Sequence, residues 1–236
     1  MMVRIGNFFF HYRNALFPLA YCLLFVKGPS VISDYRIAVT AGLVVALAGQ
    51  ALRAMTIGLE YIIRGGRNRQ VYAEKLVQGG VFAHCRNPLY VGNLLILLGL
   101  GIASNSRLFL AVGIPFFLFA YWAIIAAEEN FLRGKFGDEF TAYCARVNRL
   151  VPNFSGLGST LQGLRFNWRR LISAEYGSTY AWLAAIILLT LKNLWTNGEY
   201  QWRQGMVWVL WSLLLLVTVA YGIARYLKKS GALKTV

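Results

Sequence analysis

Acidic residues are scarce in this chain, with 9 Asp and Glu set against 24 Lys and Arg among 236 residues and a formal net charge of +15 at pH 7. That imbalance invites nucleic acid as a partner, but no recognised reader motif accompanies it, and nucleic-acid binding is set aside. Cysteine is sparse too. Cys22, Cys85 and Cys144 cannot pair completely, and the last two fall on the side where thiols stay reduced, so no disulfide framework is expected. A cleavable leader is not expected either: residues 1–13 are aromatic and basic, and the apolar stretch that follows lacks a clear small-residue cleavage site. No internal repeat stands out, and nothing calls for a metal. Gly99-Leu100-Gly101 has no strand before it, which removes the nucleotide-turn reading and leaves close helix packing as the use of its small residues.

Charge itself is missing from long stretches. The runs Asn87 to Ser106 and Leu108 to Ala127 are each 20 residues without a charge, and about 20 residues at roughly 1.5 Å each match a hydrocarbon core roughly 30 Å thick. Both read as membrane spans. Gln204 to Ala224 and Ile37 to Leu52 read the same way, with Arg53 turning inward or reaching for the interface. Tyr176 to Leu191 ends at Lys192, whose stem can snorkel, and Asn14 to Val26 is a short first span between Arg13 and Lys27. The expected fold is therefore an all-α polytopic membrane protein of about six transmembrane helices. With the N-terminus inside, the inner segments hold 18 of the 24 basic residues, so both termini are expected in the cytoplasm and the basic residues against anionic lipid. The expected membrane is the inner membrane of a bacterium, or the endoplasmic reticulum in a eukaryote.

The turn at 104–107 is minimal, which makes the third and fourth spans a helical hairpin and returns residues 87–90 and Glu128-Glu129 to one membrane face. The long connections 60–86 and 128–175 lie on that same face. In the first, 64–69 reads as a turn-rich basic loop and Gly79-Gly80 precedes His84-Cys85-Arg86-Asn87-Pro88, with Pro88 suited to a first helical turn. In the second, Phe131, Leu132, Phe136, Phe140, Tyr143 and Val147 recur at three- and four-residue steps across Gly134 and Gly137, which predicts two short amphipathic helices at the membrane surface. Residues 154–179, with Gly156, Gly158 and Gly163 before Phe166 and Trp168, read as an interfacial connection. A helix N-terminus at Asn87 suits an anion, although Asn87 serves equally as a cap, Tyr90 as an interface anchor and Arg86 as a headgroup contact. Glu128 and Glu129 end an apolar run, where a helix dipole disfavours them; they read either as an exposed pair, Glu129 lying four residues before Arg133, or as a ligand for a cation or hydroxyls.

The combined order is more specific than its parts: Gly80-x-Phe82, Arg86-Asn87-Pro88-Leu89-Tyr90-Val91-Gly92, a helical hairpin, Glu128-Glu129, Phe136-Gly137-x-Glu139-Phe140-x-x-Tyr143, then Val147-x-Arg149-x-x-Pro152. It resembles the isoprenylcysteine carboxyl methyltransferase and phospholipid methyltransferase superfamily of integral membrane enzymes. Asn87 departs from the histidine usual in the prenylcysteine branch, and His84 stands three residues too early to replace it. The resemblance implies a cytoplasm-facing site for S-adenosyl-L-methionine on Gly80, His84, Arg86, Asn87, Pro88, Tyr90, Gly92, Glu128 and Glu129. It implies Arg133, Arg146 and Arg149 as the groups orienting an acceptor, against headgroup contact as the alternative for each. Three segments follow, an N-terminal helical part (1–75), a cofactor-binding core (76–152) and a C-terminal part with two more spans (153–236). The implied reaction is methyl transfer to a lipid-like or prenylated amphiphile, on oxygen or nitrogen, with membrane lipids as surroundings and no obligatory protein partner. A membrane reductase of the sterol-reductase type and a non-catalytic lipid-binding adaptor are the alternatives. The tryptophans at 168, 182, 195, 202, 208 and 211 serve as a lipid-facing belt or line an acceptor cavity.

Overall fold

A computed structural model of the chain describes residues 1–59, 64–67, 70–162 and 165–233, giving the backbone alone for 64–67 and 70–72. Glu60, Arg69, Gly163 and Lys234, which the sequence places in loops or in the tail, lie outside the described residues. The helices are α1 (Met2–Tyr21), α2 (Tyr35–Leu59), α3 (Pro88–Ser104), α4 (Ile114–Arg146), α5 (Leu157–Gln162), α6 (Trp168–Thr196) and α7 (Gln204–Lys229). Four stretches are long and apolar enough to cross a membrane: α2, the run Phe109–Arg146 that contains α4, α6 and α7. The apolar α3 is shorter, at 17 residues. The protein is a helical integral membrane protein.

Three expectations change. The basic segment after α2 is no plain loop, because β1 (Arg64–Arg67) and β2 (Gln70–Ala73) pair as an antiparallel hairpin with Arg64 opposite Ala73; the fold is helical with one small hairpin, not wholly α. Helix α1 begins at Met2 and carries Arg13 within it, not before it. Of the two surface helices expected after Glu128, the first is continuous with the span, and a break at Gly137 (φ 51°, ψ −122°) sets the last part of α4, up to Arg146, apart as the second. Only glycine tolerates that conformation readily, whereas Gly134 stays helical and breaks nothing.

Small residues set the helix spacing. Helices α2 and α3 meet through Gly42 and Gly49 on one side and Gly92 and Gly99 on the other, and a Cβ added at Gly99 would fall 2.5 Å from the Gly42 carbonyl oxygen. This is the backbone approach that small residues permit where water supplies no driving force between helices. Helix α1 lies along α4, where Gly6 sits against the backbone of Ala123 and Phe17 meets Phe117 and Tyr121 edge-on. Helix α6 packs on α2 and α3, and α7 packs on α6. Between α3 and α4 the chain turns through Asn105 in the left-handed conformation, its side chain accepting from the amides of Val31 and Ile32. At the other end Arg170 donates to the carbonyls of Ile57 and Gly58 at 2.7 Å each, satisfying acceptors that the end of α2 leaves open.

Candidate active site

The hairpin of α3 and α4 performs the juxtaposition expected of it. Asn87 precedes α3 and Pro88 occupies its first turn, where a missing N–H costs nothing. The Asn87 side chain makes no cap; it donates to the Arg149 carbonyl at 3.1 Å and so binds the start of α3 to the chain that leaves α4. Glu128 and Glu129 lie opposite, both about 95% buried.

The two carboxylates have different surroundings. Glu129 is clamped, with Arg86 Nη2 donating to Oε1 at 3.0 Å and Arg149 donating to both oxygens through Nε and Nη2. The clamp is braced from behind by Arg86 Nη1, which donates to the carbonyls of Cys144 and Val147, and by Trp122, whose ring lies 4.6 Å from the Arg149 guanidinium carbon. Two cations on one buried carboxylate make a fixed, geometrically specific cluster. Glu128 instead accepts a hydrogen bond from the Tyr90 hydroxyl at 2.7 Å. An anionic acceptor group and a phenol thus stand beside an electrostatically closed neighbour.

The remaining expected residues fall at different places. Both ring nitrogens of His84 face the segment after the core, Nδ1 at 2.7 Å from the Asn153 carbonyl and Nε2 at 2.9 Å from the Thr160 hydroxyl. Gly80 has a left-handed backbone (φ 55°) at the start of the turn 80–83, and the Phe82 carbonyl there accepts from Tyr143. Gly92 faces α2, where a Cβ would meet Arg53 Cγ. Arg133 and Arg146 are exposed, and Arg146 donates to Gln78, so of the three arginines only Arg149 joins the cluster. Cys85 lies beneath it, 1% exposed, and burial pushes its thiol pKa upward.

One constellation had not been foreseen. Arg53 and Glu175, 8% and 4% exposed, form a two-pronged ion pair between α2 and α6, Nε to Oε2 at 2.8 Å and Nη2 to Oε1 at 2.5 Å. The second terminal nitrogen of Arg53 donates to Asn93 and to the Leu89 carbonyl on α3. Arg53 lines a cavity of about 840 Å³ that α1, α3, α4 and α6 also bound, and Tyr90, Asn93, Tyr121 and Trp182 are on its wall. Tyr90 therefore belongs both to the cavity and to the carboxylate cluster. The Arg53 charge inside a span was visible in the sequence, but Glu175 is 122 residues away and no local spacing joins the two.

These positions can be set beside known proteins. Residues 37–139 match the model of the family described as phospholipid methyltransferase. That match, over less than half of the chain, agrees with the integral membrane methyltransferase superfamily that the motifs resemble. The matched segment holds Arg53, the motif from Arg86 to Gly92 and both carboxylates, and it ends before Arg149. The chain is 41% identical over 80 residues to the cobalt-zinc-cadmium resistance protein CzcN of Cupriavidus metallidurans, covering 34% of this chain and 37% of that protein. It is 35% identical over 81 residues to the nickel-cobalt-cadmium resistance protein NccN of Alcaligenes xylosoxydans xylosoxydans, covering 34% and 38%. The matches thus span under two fifths of these relatives' length. No solved structure matches.

Proposed function

We propose that the protein transfers a methyl group from S-adenosyl-L-methionine to an amphiphile held within the membrane, at a site facing the cytoplasm. The observation that carries this reading is the shared residue: Tyr90 hydrogen-bonds Glu128 in the family's motif cluster and lines the intramembrane cavity, which couples a water-facing cofactor site to a lipid-accessible one. The donor set fits the cofactor. A buried carboxylate beside a phenol suits ribose hydroxyls or a sulfonium, and the amide groups at the start of α3 suit a carboxylate. When bound, S-adenosyl-L-methionine supplies an electrophilic methyl group.

The chain's share is position. Glu129, held by Arg86 and Arg149, locks the segment 147–149 against α4 and α3, so the neighbouring Glu128 is presented on a rigid wall. Tyr90 holds one oxygen of Glu128 and orients it. Arg149 stacks on Trp122 and keeps the clamp at the membrane-facing side of α4. In-line displacement demands alignment and exclusion of water more than covalent help, and a cluster without slack meets that demand. The reading rests on the family segment and on the site, not on the relatives' printed names; among the described residues no three of His, Cys, Asp and Glu gather as ligands for an ion.

The test is transfer of tritiated methyl from S-adenosyl-L-methionine into organic-extractable lipid by the purified protein supplied with a membrane lipid extract. Labelled lipid that disappears with Glu128→Gln supports the proposal. Absence of label with every lipid fraction, from protein that remains folded, refutes it.

A further inference from the structure

Arg13 is a cation in an apolar place. Helix α1 lies along the charge-free stretch 108–127 of the hairpin, with Gly6 against Ala123 and Ala127 and Phe17 against Phe117 and Tyr121. Seven residues beyond Gly6, roughly 10 Å along a helix, Arg13 stands between those two contacts, beside a part of α4 that offers no countercharge. Its guanidinium carbon lies 4.2 Å from the centroid of the Phe10 ring, and the residue lines the 840 Å³ cavity. Among the described residues no carboxylate lies within ion-pair distance of Arg13. The other guanidinium on the wall, that of Arg53, is neutralised by Glu175.

The cavity also has a direction. Near the carboxylate cluster it is walled by Tyr90, Asn93 and Arg53, and towards the opposite end of the bundle by Leu24, Leu97, Leu100 and Leu188. A space of that size falls within the roughly 300–1,000 Å³ of ligand pockets, and its long apolar half suits an alkyl or acyl chain. One excess positive charge remains in the polar half. Arg13 is half-buried, and an ionisable group set among apolar helices marks a binding pathway.

We infer that the cavity binds a chain-bearing amphiphile with an anionic oxygen head, a carboxylate or a phosphate, and that Arg13 is the residue selecting for that charge. This deepens the methyltransferase reading by naming the acceptor's class, and it moves the anion-orienting role from Arg133 and Arg146, which stand outside the cluster, to a residue of α1. Phe10 holds the guanidinium in place without cancelling its charge. The cavity is bounded by α1 and α6, both outside the family segment, so selectivity is expected to differ between proteins that share that segment.

The experiment is equilibrium binding of radiolabelled palmitate, of lysophosphatidate and of hexadecanol to the full chain in a neutral maltoside detergent. The wild type is expected to bind palmitate or lysophosphatidate saturably and at least tenfold more tightly than hexadecanol; which of the two anions wins identifies the head. Arg13→Gln is expected to abolish that preference and Arg13→Lys to retain part of it. Ala185→Phe, which intrudes on the cavity from α6, is expected to weaken all three ligands. Equal affinity for hexadecanol and the anions, or an unchanged preference in Arg13→Gln, overturns the inference. Binding of S-adenosylhomocysteine is measured on each variant: if it is retained while the anion preference is absent, this inference alone fails, whereas anion preference in a wild type that binds no S-adenosylhomocysteine removes the methyltransferase reading and leaves Arg13's role standing.

Discussion

Breaking the Arg53–Glu175 pair from one side is expected to destabilise the protein far more than removing it whole. Both residues are over nine-tenths buried, and the pair joins α2 and α3 to α6 through two bonds to Glu175 and further bonds to Asn93 and Leu89. Glu175→Leu leaves a guanidinium without its countercharge in a low-dielectric wall, a change that costs about 3–5 kcal/mol. For a chain of this size roughly 2–4 °C accompany each kcal/mol, so the lower end of that range is a fall of about 6–12 °C in Tm. Arg53→Met has the converse effect on Glu175, while its stem still fills the groove against Gly92. In the double variant no charge is stranded and the space remains filled, so the loss is expected to shrink to about 1 kcal/mol or vanish. The assay is thermal unfolding in detergent followed by tryptophan fluorescence, read as a double-mutant cycle. Additive losses, or single variants that shift Tm by under about 2 °C, refute the reasoning, because they show the two groups to be solvated by water or by lipid headgroups in place of each other.

Other outcomes follow from close packing and from the site. Gly42→Leu is expected to prevent α2 and α3 from meeting and to abolish a monodisperse peak in gel filtration, whereas Gly134→Ala, at a helical position with open space around it, is expected to raise stability by about 0.5–1 kcal/mol. Gly137→Ala must adopt φ near 51° and is expected to lower Tm by an amount matching about 1–2 kcal/mol. Burial raises the Cys85 thiol pKa, so its stabilising share is present below an unfolded pKa of about 8.5 and fades as pH climbs towards the raised folded value. Maleimide is accordingly expected to modify Cys85 slowly at neutral pH and faster under alkaline or unfolding conditions, as peptide mass spectrometry can show. Rapid modification of Cys85 in folded protein contradicts that burial.

How far the sequence reached depended on how local the signal was. Uncharged runs of hydrocarbon length announced the core of most of the long helices, and Pro88 marked the start of α3, since both signals sit in the residues that form the element. The boundaries of α1 misled because Arg13 reads as a flank when counted along the chain. In the fold its charge is carried on a helix that begins at Met2 and finds room in a cavity. A break in α4 was legible from its glycines, but which of Gly134 and Gly137 makes it was not, since the sequence offers the same residue at both. The meeting of residues 86–90 with Glu128 and Glu129 followed from one short turn. Which glutamate is clamped did not, since Arg149 reaches back 20 residues to Glu129 from a segment that is not helical. The Arg53–Glu175 pair and the cavity behind it are purely tertiary. Of the tryptophans, Trp182 is buried and donates to Gln50, while those at 168, 195, 202, 208 and 211 face outward; helical period alone does not separate one from the other.

The most direct test of the proposed activity is calorimetric titration of the detergent-purified protein with S-adenosylhomocysteine, with reduced nicotinamide nucleotide as the comparison ligand and Glu128→Gln as the control. The account predicts saturable binding of S-adenosylhomocysteine alone, weakened at least tenfold, about 1.4 kcal/mol, by Glu128→Gln. Binding of the nicotinamide nucleotide in its place, or of neither ligand by folded protein, contradicts it.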